Sequence, residues 1–360
     1  AFKEDLILDQ NNITGYKPRL PIPTRYPSAG SSYSSYAIYL NWIWDLNAQL
    51  TVNAGLRLTK TILAGEWKEF YNINALLSSV NLNVEDLTET LALIYRPTKK
   101  TQWNAVLSSG FRSPNIDDVG KIRESRGELV VPNPSLFPEY AYNFELGVTK
   151  YLKRPKNNFS LRGFSTLISR HIGRSNYVIF ADQETRNLNT IIYNGEEVNT
   201  FANSNLGDRY LFGASIDGNV SFSNTLSLRG DLNIIEALKS DRYGPLPSIS
   251  PLFGNLLLSY EKENWFASLR YQFNGRKDPR DYSDGGEDGL EETPLLSTSP
   301  IIYAGTPAWT ELSILTQYQW NKQVFVRLGL DNIFDVHYRS FASGISAPGR
   351  NLKLGLNVRF

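Results

Sequence analysis

The last ten residues, NLKLGLNVRF (351–360), carry an apolar side chain at every second position. Leu352, Leu354, Leu356, Val358 and Phe360 point one way. Asn351, Lys353, Gly355, Asn357 and Arg359 point the other. A period of two is a β-strand with unlike faces, and this constrains the fold more than any bulk property. The pattern recurs through most of the chain. YAIYLNWIWDL (36–46) sets Tyr36, Ile38, Leu40, Trp42 and Trp44 on one side, and LTVNAGLRL (50–58) opposes its leucines with Thr51, Asn53, Gly55 and Arg57. WNAVLSSGF (103–111), YAYNFELGV (140–148), LSLRGDLNI (226–234), WFASLRYQF (265–273), LSILTQYQW (312–320) and VFVRLGLDN (324–332) continue it. Weaker candidates lie near 84–96, 159–170, 207–219 and 252–261. Together these predict about 13 strands.

The connections say what the oily face meets. WDLNAQ (44–49), PTKK (97–100), ENW (263–265) and WNK (320–322) read as tight turns. Long polar stretches lie near 60–83, 112–138, 171–206, 275–309 and 333–349. Short and long connections therefore alternate, as in an outer-membrane barrel with short periplasmic turns and long extracellular loops. A large soluble β protein is the competing reading, but no blade or coil motif of fixed period is present. The polar face also holds Arg57, Arg229, Asp231, Arg270, Arg327 and Arg359. A dry core would have to pair each of these charges, whereas a watery lumen accommodates them. With 20 Tyr, 18 Phe and 7 Trp, many near strand ends, the chain can also furnish the interfacial aromatic belts. The expected fold class is all-β, a transmembrane antiparallel barrel.

Other classes are disfavoured. Mean hydropathy is −0.32 and no run approaches the ~20 apolar residues of a spanning helix. Net charge is +1 with no basic cluster, so no nucleic-acid partner is expected. Cysteine is absent and the two histidines, His171 and His337, are far apart, which leaves no nucleophile–base set for an enzyme. The opening AFKEDLIL has neither an initiator Met nor a signal peptide, so a mature chain or a fragment is expected. An odd strand count leaves two options. Either AFKEDLIL (1–8) ends a fourteenth strand of a self-closing, porin-like passive channel, or the chain is part of a larger barrel.

GFRSPNIDDVGK (110–121), VPNPSLFPEYAYNFELGV (131–148), LGLDNIFDVHY (328–338) and APGRNLKLGLNVRF (347–360) together resemble the C-terminal part of the barrel of TonB-dependent outer-membrane receptors, with phrasing like that of the Bacteroidota. The resemblance spans essentially the whole chain. It implies a barrel of about 22 strands around an N-terminal plug, of which these are the last thirteen. Neither plug nor TonB box is recognisable here. It further implies energised uptake of a scarce, bulky nutrient, with a ferric siderophore as the leading cargo and haem, cobalamin, glycan or peptide as lesser ones. The implied partners are TonB–ExbB–ExbD acting through the plug, the barrel-assembly machinery, lipopolysaccharide and a surface lipoprotein. Phe360 matches the family's terminal assembly signal.

Candidate ligand contacts follow from residue chemistry in the long stretches. Asp117, Asp118, Lys121, Arg123, Glu124 and Arg126 mix signs, as a solvated loop does, and Arg112 stands at a strand exit. His171 opens an outer loop and could reach a ligand. Haem receptors of the family carry a histidine between the FRSP-like and NPSL-like motifs, and residues 115–132 have none, so haem drops to a minor option. Tyr177, Tyr193, Tyr282 and Arg280 could grip an anionic aromatic ligand such as a catecholate, since guanidinium forks pair with oxyanions and stack on rings. Arg57, Arg229, Arg270 and Arg327 are assigned to contact with the plug. No cofactor is expected except calcium, for which Asp281, Asp284 and Asp288 of DPRDYSDGGEDGLEE (278–292) are candidates without EF-hand spacing.

Overall fold

The computed structural model describes residues 2–3, 6–9, 12–16, 20–21, 25–67, 79–125, 127–153, 157–178, 190–193, 196–284 and 286–359. Thirteen long strands form one antiparallel sheet: β1 (Gly30–Asp45), β2 (Leu50–Glu66), β3 (Ser79–Thr98), β4 (Thr101–Arg112), β5 (Glu139–Tyr151), β6 (Asn158–Ser169), β7 (Arg209–Ser221), β8 (Leu226–Ala237), β9 (Phe253–Lys262), β10 (Trp265–Asn274), β11 (Trp309–Gln319), β12 (Val324–Asp331) and β13 (Asn351–Val358). Each pairs with its sequence neighbour, and every run singled out in the sequence lies in one of them.

Register keeps the oily sets together. Ile38 pairs with Leu58 and Leu40 with Leu56, while Leu328 pairs with Leu354. A one-residue slip would carry every one of these side chains to the other face, so the pattern fixes the pairing. The oily face is uncovered by protein: Trp42 is 64% exposed, Leu328 48% and Leu354 79%. No soluble sheet leaves so wide an apolar surface bare; lipid is its partner. Arg57, Arg229, Arg270 and Arg327 fall in the opposite phase, on the lumen side.

Six tight turns alternate with six longer connections. Three of the turns use one device, a side-chain oxygen that accepts from two following backbone N–H groups. Asn47 takes those of Gln49 and Leu50, Ser223 those of Thr225 and Leu226, and Asn321 those of Gln323 and Val324. Aromatics gather beside these turns, with Trp265 and Tyr318 4.7 Å apart and Trp42 stacked on Trp44.

The structure corrects three expectations. The stretch 60–83 is half strand, because β2 runs to Glu66 and β3 starts at Ser79. A sixth long connection, 238–252, joins β8 to β9. Finally, the described residues of AFKEDLIL add no strand to the sheet: Leu6–Asp9 pairs with Asn12–Tyr16, and Phe2–Lys3 with Leu20–Pro21. Among the described residues β1 and β13 each pair on one side only, so the sheet has two open edges. Phe360 lies outside the described residues.

Candidate functional site at the long-loop rim and lumen wall

The connections 113–138 and 170–208 fold together into a compact unit on the rim. Its short helix α1 (Ile116–Gly120) begins with a capping box: Asn115 Oδ1 accepts from the backbone N–H groups of Asp117 and Asp118, and Asp118 Oδ2 accepts from that of Asn115. A small sheet follows. Arg123–Ser125 pairs with Glu128–Val130, which runs parallel to Glu196–Asn205, and that strand also pairs with Ile172–Asn176 and Thr190–Tyr193. Val119, Ile122, Leu129, Val131, Ile172, Val198 and Ala202 pack into an apolar cluster with Leu63, Trp67 and Val80 from the ends of β2 and β3. Leu63 shares the phase of Arg57, Thr59 and Thr61. The inward face therefore turns from polar to apolar where the rim unit rests on it.

Polar side chains clasp the unit. Asn133 Nδ2 donates to the Asn203 carbonyl at 2.8 Å, while its Oδ1 accepts from Ser135 N–H and the Tyr177 hydroxyl. Asn205 Nδ2 donates to the carbonyls of Phe137 and Arg170. Glu139 Oε2 accepts from Ile172 N–H at 2.7 Å and lies 2.8 Å from His171 Nδ1. Arg112 pairs with the buried Asp118 at 2.6 Å, and Arg174 with Glu128 at 2.6 Å.

Asp117 is held by the Arg25 guanidinium at 2.9 Å and by Lys121 at 3.3 Å. The hydrogen bond from Arg25 is the main cause that lowers its pKa below the usual carboxylate value, against a smaller opposing effect of burial. A depressed carboxylate contributes stability above its unfolded pKa and loses it as pH falls through the folded one. Acidification below the ordinary aspartate range, near pH 4, should therefore release the tie between residue 25 and α1. Amide hydrogen exchange of residues 115–121 should rise there in the wild type, and Asp117→Asn should show that faster exchange already at pH 7.

The connections 238–252, 275–308 and 332–350 form a second group. Asp288 is buried, its Oδ1 accepting from Ser248 N–H at 2.7 Å and its Oδ2 from Ser283 N–H at 3.1 Å. Lys277 is buried too, with Nζ donating to the Ile249 carbonyl at 2.6 Å and lying 5.0 Å from the Phe341 ring. Burial lowers its pKa, partly offset by Asp288, Asp281 and Glu236. The Tyr282 and Thr306 hydroxyls are 2.6 Å apart, and burial raises the Tyr282 pKa. Asn332 closes the last loop: its amide donates to the carbonyls of Val336 and Pro348, and its backbone N–H reaches Glu311 Oε1 at 2.8 Å. Between these loops a cavity of about 320 Å³ is floored by Trp309 and Tyr338, stacked at 4.1 Å.

The candidate contacts chosen from the sequence are divided between the two groups. Arg112, Asp117, Asp118, Arg123, His171 and Tyr177 belong to the first. All of these except Arg123, an exposed residue of a short strand, bond within the unit. Tyr282 and Arg280 belong to the second, where the Arg280 carbonyl accepts from Lys239. Tyr193 lies in a short strand whose side chain is outside the described residues. The calcium candidates do not converge: Asp281 pairs with Lys239 at 2.6 Å, Asp288 caps two backbone amides, and the Asp284 carboxylate lies against Gly244. Among the described residues no three His, Cys, Asp or Glu side chains are placed to hold a metal ion.

Of the lumen arginines, Arg57 donates to Thr59 and Arg327 to Gln317 at 2.9 Å. Arg270 stands 3.9 Å from the buried Glu311. The Arg229 side chain makes no hydrogen bond or ion pair among the described residues. Sequence reasoning missed Asn133, Glu139, Asn332 and Glu311. All but Glu311 lie within the quoted motifs, and their signal was a polar residue beside prolines or at a strand exit.

A family profile describing a TonB-dependent receptor-like β-barrel matches residues 4–333. The chain belongs to that family. No curated protein sequence matches the receptor barrel. Solved structures resemble its fold. The copper transporter OprC superposes with a TM-score of 0.72 at 15% identity, covering 92% of this chain and 50% of its own. The FrpB iron transporter of Neisseria meningitidis gives 0.64 at 13%, covering 92% and 46%. A mutant of the ferric enterobactin receptor PfeA from Pseudomonas aeruginosa, in complex with enterobactin, gives 0.66 at 14%, covering 99% and 57%. The receptor barrel thus spans about half the length of the structures it matches. Its membership places it in the outer membrane, as part of a receptor-type β-barrel.

Proposed function

We propose that this chain is the C-terminal portion of a TonB-dependent transporter that takes up a scarce, bulky nutrient through a plugged barrel. The open-edged thirteen-stranded sheet carries the reading. A bilayer tolerates no unpaired edge, since each bare backbone group costs several kcal/mol, so β1 and β13 require partner strands. A barrel completed to the family's size encloses a lumen too wide to leave open, which calls for a plug and for TonB–ExbB–ExbD to move it. The long connections then face outward and the tight turns inward, with lipopolysaccharide around the outer rim. Phe360 serves the assembly machinery, and a surface lipoprotein is a further partner. Ferric siderophore is the leading cargo class: it is the class implied by the resemblance, and several fold neighbours are named for iron or ferric-siderophore uptake.

The test is uptake of radiolabelled iron complexes by cells carrying or lacking the receptor. Uptake should need the receptor, and should fall at least tenfold when TonB is deleted or the proton gradient is collapsed. Receptor-dependent uptake that ignores both treatments would mean a passive channel.

A further inference from the structure

The connection between β10 and β11 carries a hairpin of its own, in which Leu295–Thr298 pairs with Ile301–Tyr303. It begins past the bridge between Lys277 and Thr306, beyond the ends of both wall strands. Its apolar side chains stand out in solvent. Leu296 is 69% exposed and Ile301 65%, with Leu295 and Ile302 exposed too. Ile345, in the connection from β12 to β13, is 81% exposed. Arg339 links the two connections: Nη1 donates to the Glu292 carbonyl at 2.8 Å, and Nε to Ser346 Oγ at 3.1 Å. Glu292 lies just before the hairpin and Ser346 just after Ile345, so both apolar sets belong to one crest on the rim.

Single apolar side chains on a surface need no explanation, but a contiguous set marks a contact. A two-stranded hairpin is at best marginally stable alone, so this one calls for packing. The first rim unit shows the ordinary outcome, with Val119, Leu129 and Val198 buried in a cluster on β2 and β3. The bilayer does not cover the crest, which starts beyond the strand ends. Its two connections are the long ones nearest the open edge of β13, where the transporter reading requires further strands. The chain spans about half the length of the solved structures it matches, so a barrel of that size brings further long connections to the same rim. Acidic side chains border the crest, since Asp284, Glu287 and Glu291 are exposed. An apolar segment edged with Lys or Arg complements that surface.

We infer that the crest is the docking surface for an extracellular connection of the barrel's first strands, in the N-terminal half of the same receptor. The inference rests on the transporter reading and goes beyond it by naming the contact. Docking there joins the outer loops of the two halves, as strand pairing joins the wall below. The same two connections line the cavity floored by Trp309 and Tyr338, so docking also fixes the walls of that cavity.

The test uses the full-length receptor in its native outer membrane. The photoreactive residue p-benzoylphenylalanine would replace Leu296, Ile301 or Ile345 in turn, with Lys153 at the opposite end of the wall as the control. Irradiation should attach each crest position to receptor peptides that precede Ala1, at least tenfold more than it attaches Lys153. The product should migrate as a monomer, and those peptides should carry Lys or Arg beside apolar residues. In a second measurement, an impermeant maleimide would label Ile345→Cys, read on the peptide that holds residue 345. Labelling should rise about tenfold when Leu296→Asp and Ile301→Asp are added, with heat-modifiable gel mobility reporting a folded barrel. Cross-links to a second copy, to another protein or to lipopolysaccharide would overturn the inference, as would equal labelling in the two backgrounds. Energised uptake alongside such a result would leave the transporter reading standing. A native chain no longer than these residues would sink both.

Discussion

Leu328→Arg should strongly impair membrane assembly of this protein, whereas Arg327→Leu, one residue away, should leave it nearly intact. Leu328 faces outward in the middle of β12, paired with Leu354 of β13. It stands about four residues above the turn at 320–323, roughly half the height of a ~25 Å apolar band. An arginine on the lipid face at that depth costs about 2–4 kcal/mol. Arg327 faces the lumen, where its guanidinium donates to Gln317 and lies 5.4 Å from the Phe325 ring. Replacing it removes one partly solvated hydrogen bond, about 1 kcal/mol. The fraction of receptor that migrates as folded barrel without heating, and its urea midpoint, measure both. Equal loss for the two variants would mean that the sheet does not present one face to lipid.

Leu129→Ala should undock the first rim unit without opening the barrel. Leu129 is fully buried between the small loop sheet and the ends of β2 and β3, in contact with the cluster that includes Leu63 and Val80. A buried Leu→Ala change costs about 2–5 kcal/mol, depending on how far the site collapses. The rim unit has one small cluster to hold it, so that loss is a large share of its docking energy. The barrel strands keep their ladders. Proteolysis within 113–138 should accelerate by an order of magnitude or more, with urea unfolding of the barrel unchanged. Protection of that segment equal to wild type would mean that the clasps of Asn133, Asn205 and Glu139 hold the unit without the cluster.

The thirteen strands were legible because each is a local pattern: alternation is set by the backbone's own two-residue repeat and needs no distant partner. The loops were harder. The stretch 60–83 read as a loop because the inward positions there stop being polar. Leu63 and Val80 obey a rule set by the rim unit above them, not by water. The connection 238–252 went unrecognised because β9 begins with a faint pattern. Residues chosen as ligand contacts for their charge, such as Arg112, Asp117 and His171, bond within the first unit. Asn133 and Glu139, whose contacts position its strands, drew no attention as single residues.

By itself the sequence determined the membrane-facing barrel wall, the alternation of connection lengths and the family. Only the tertiary structure decided which loop residues clasp one another. Those bonds join positions far apart in the chain, as Asn133 joins Asn203 and Asp118 meets Asn203. No local period encodes such pairs. They exist only once the strands have brought the loop ends together at one rim.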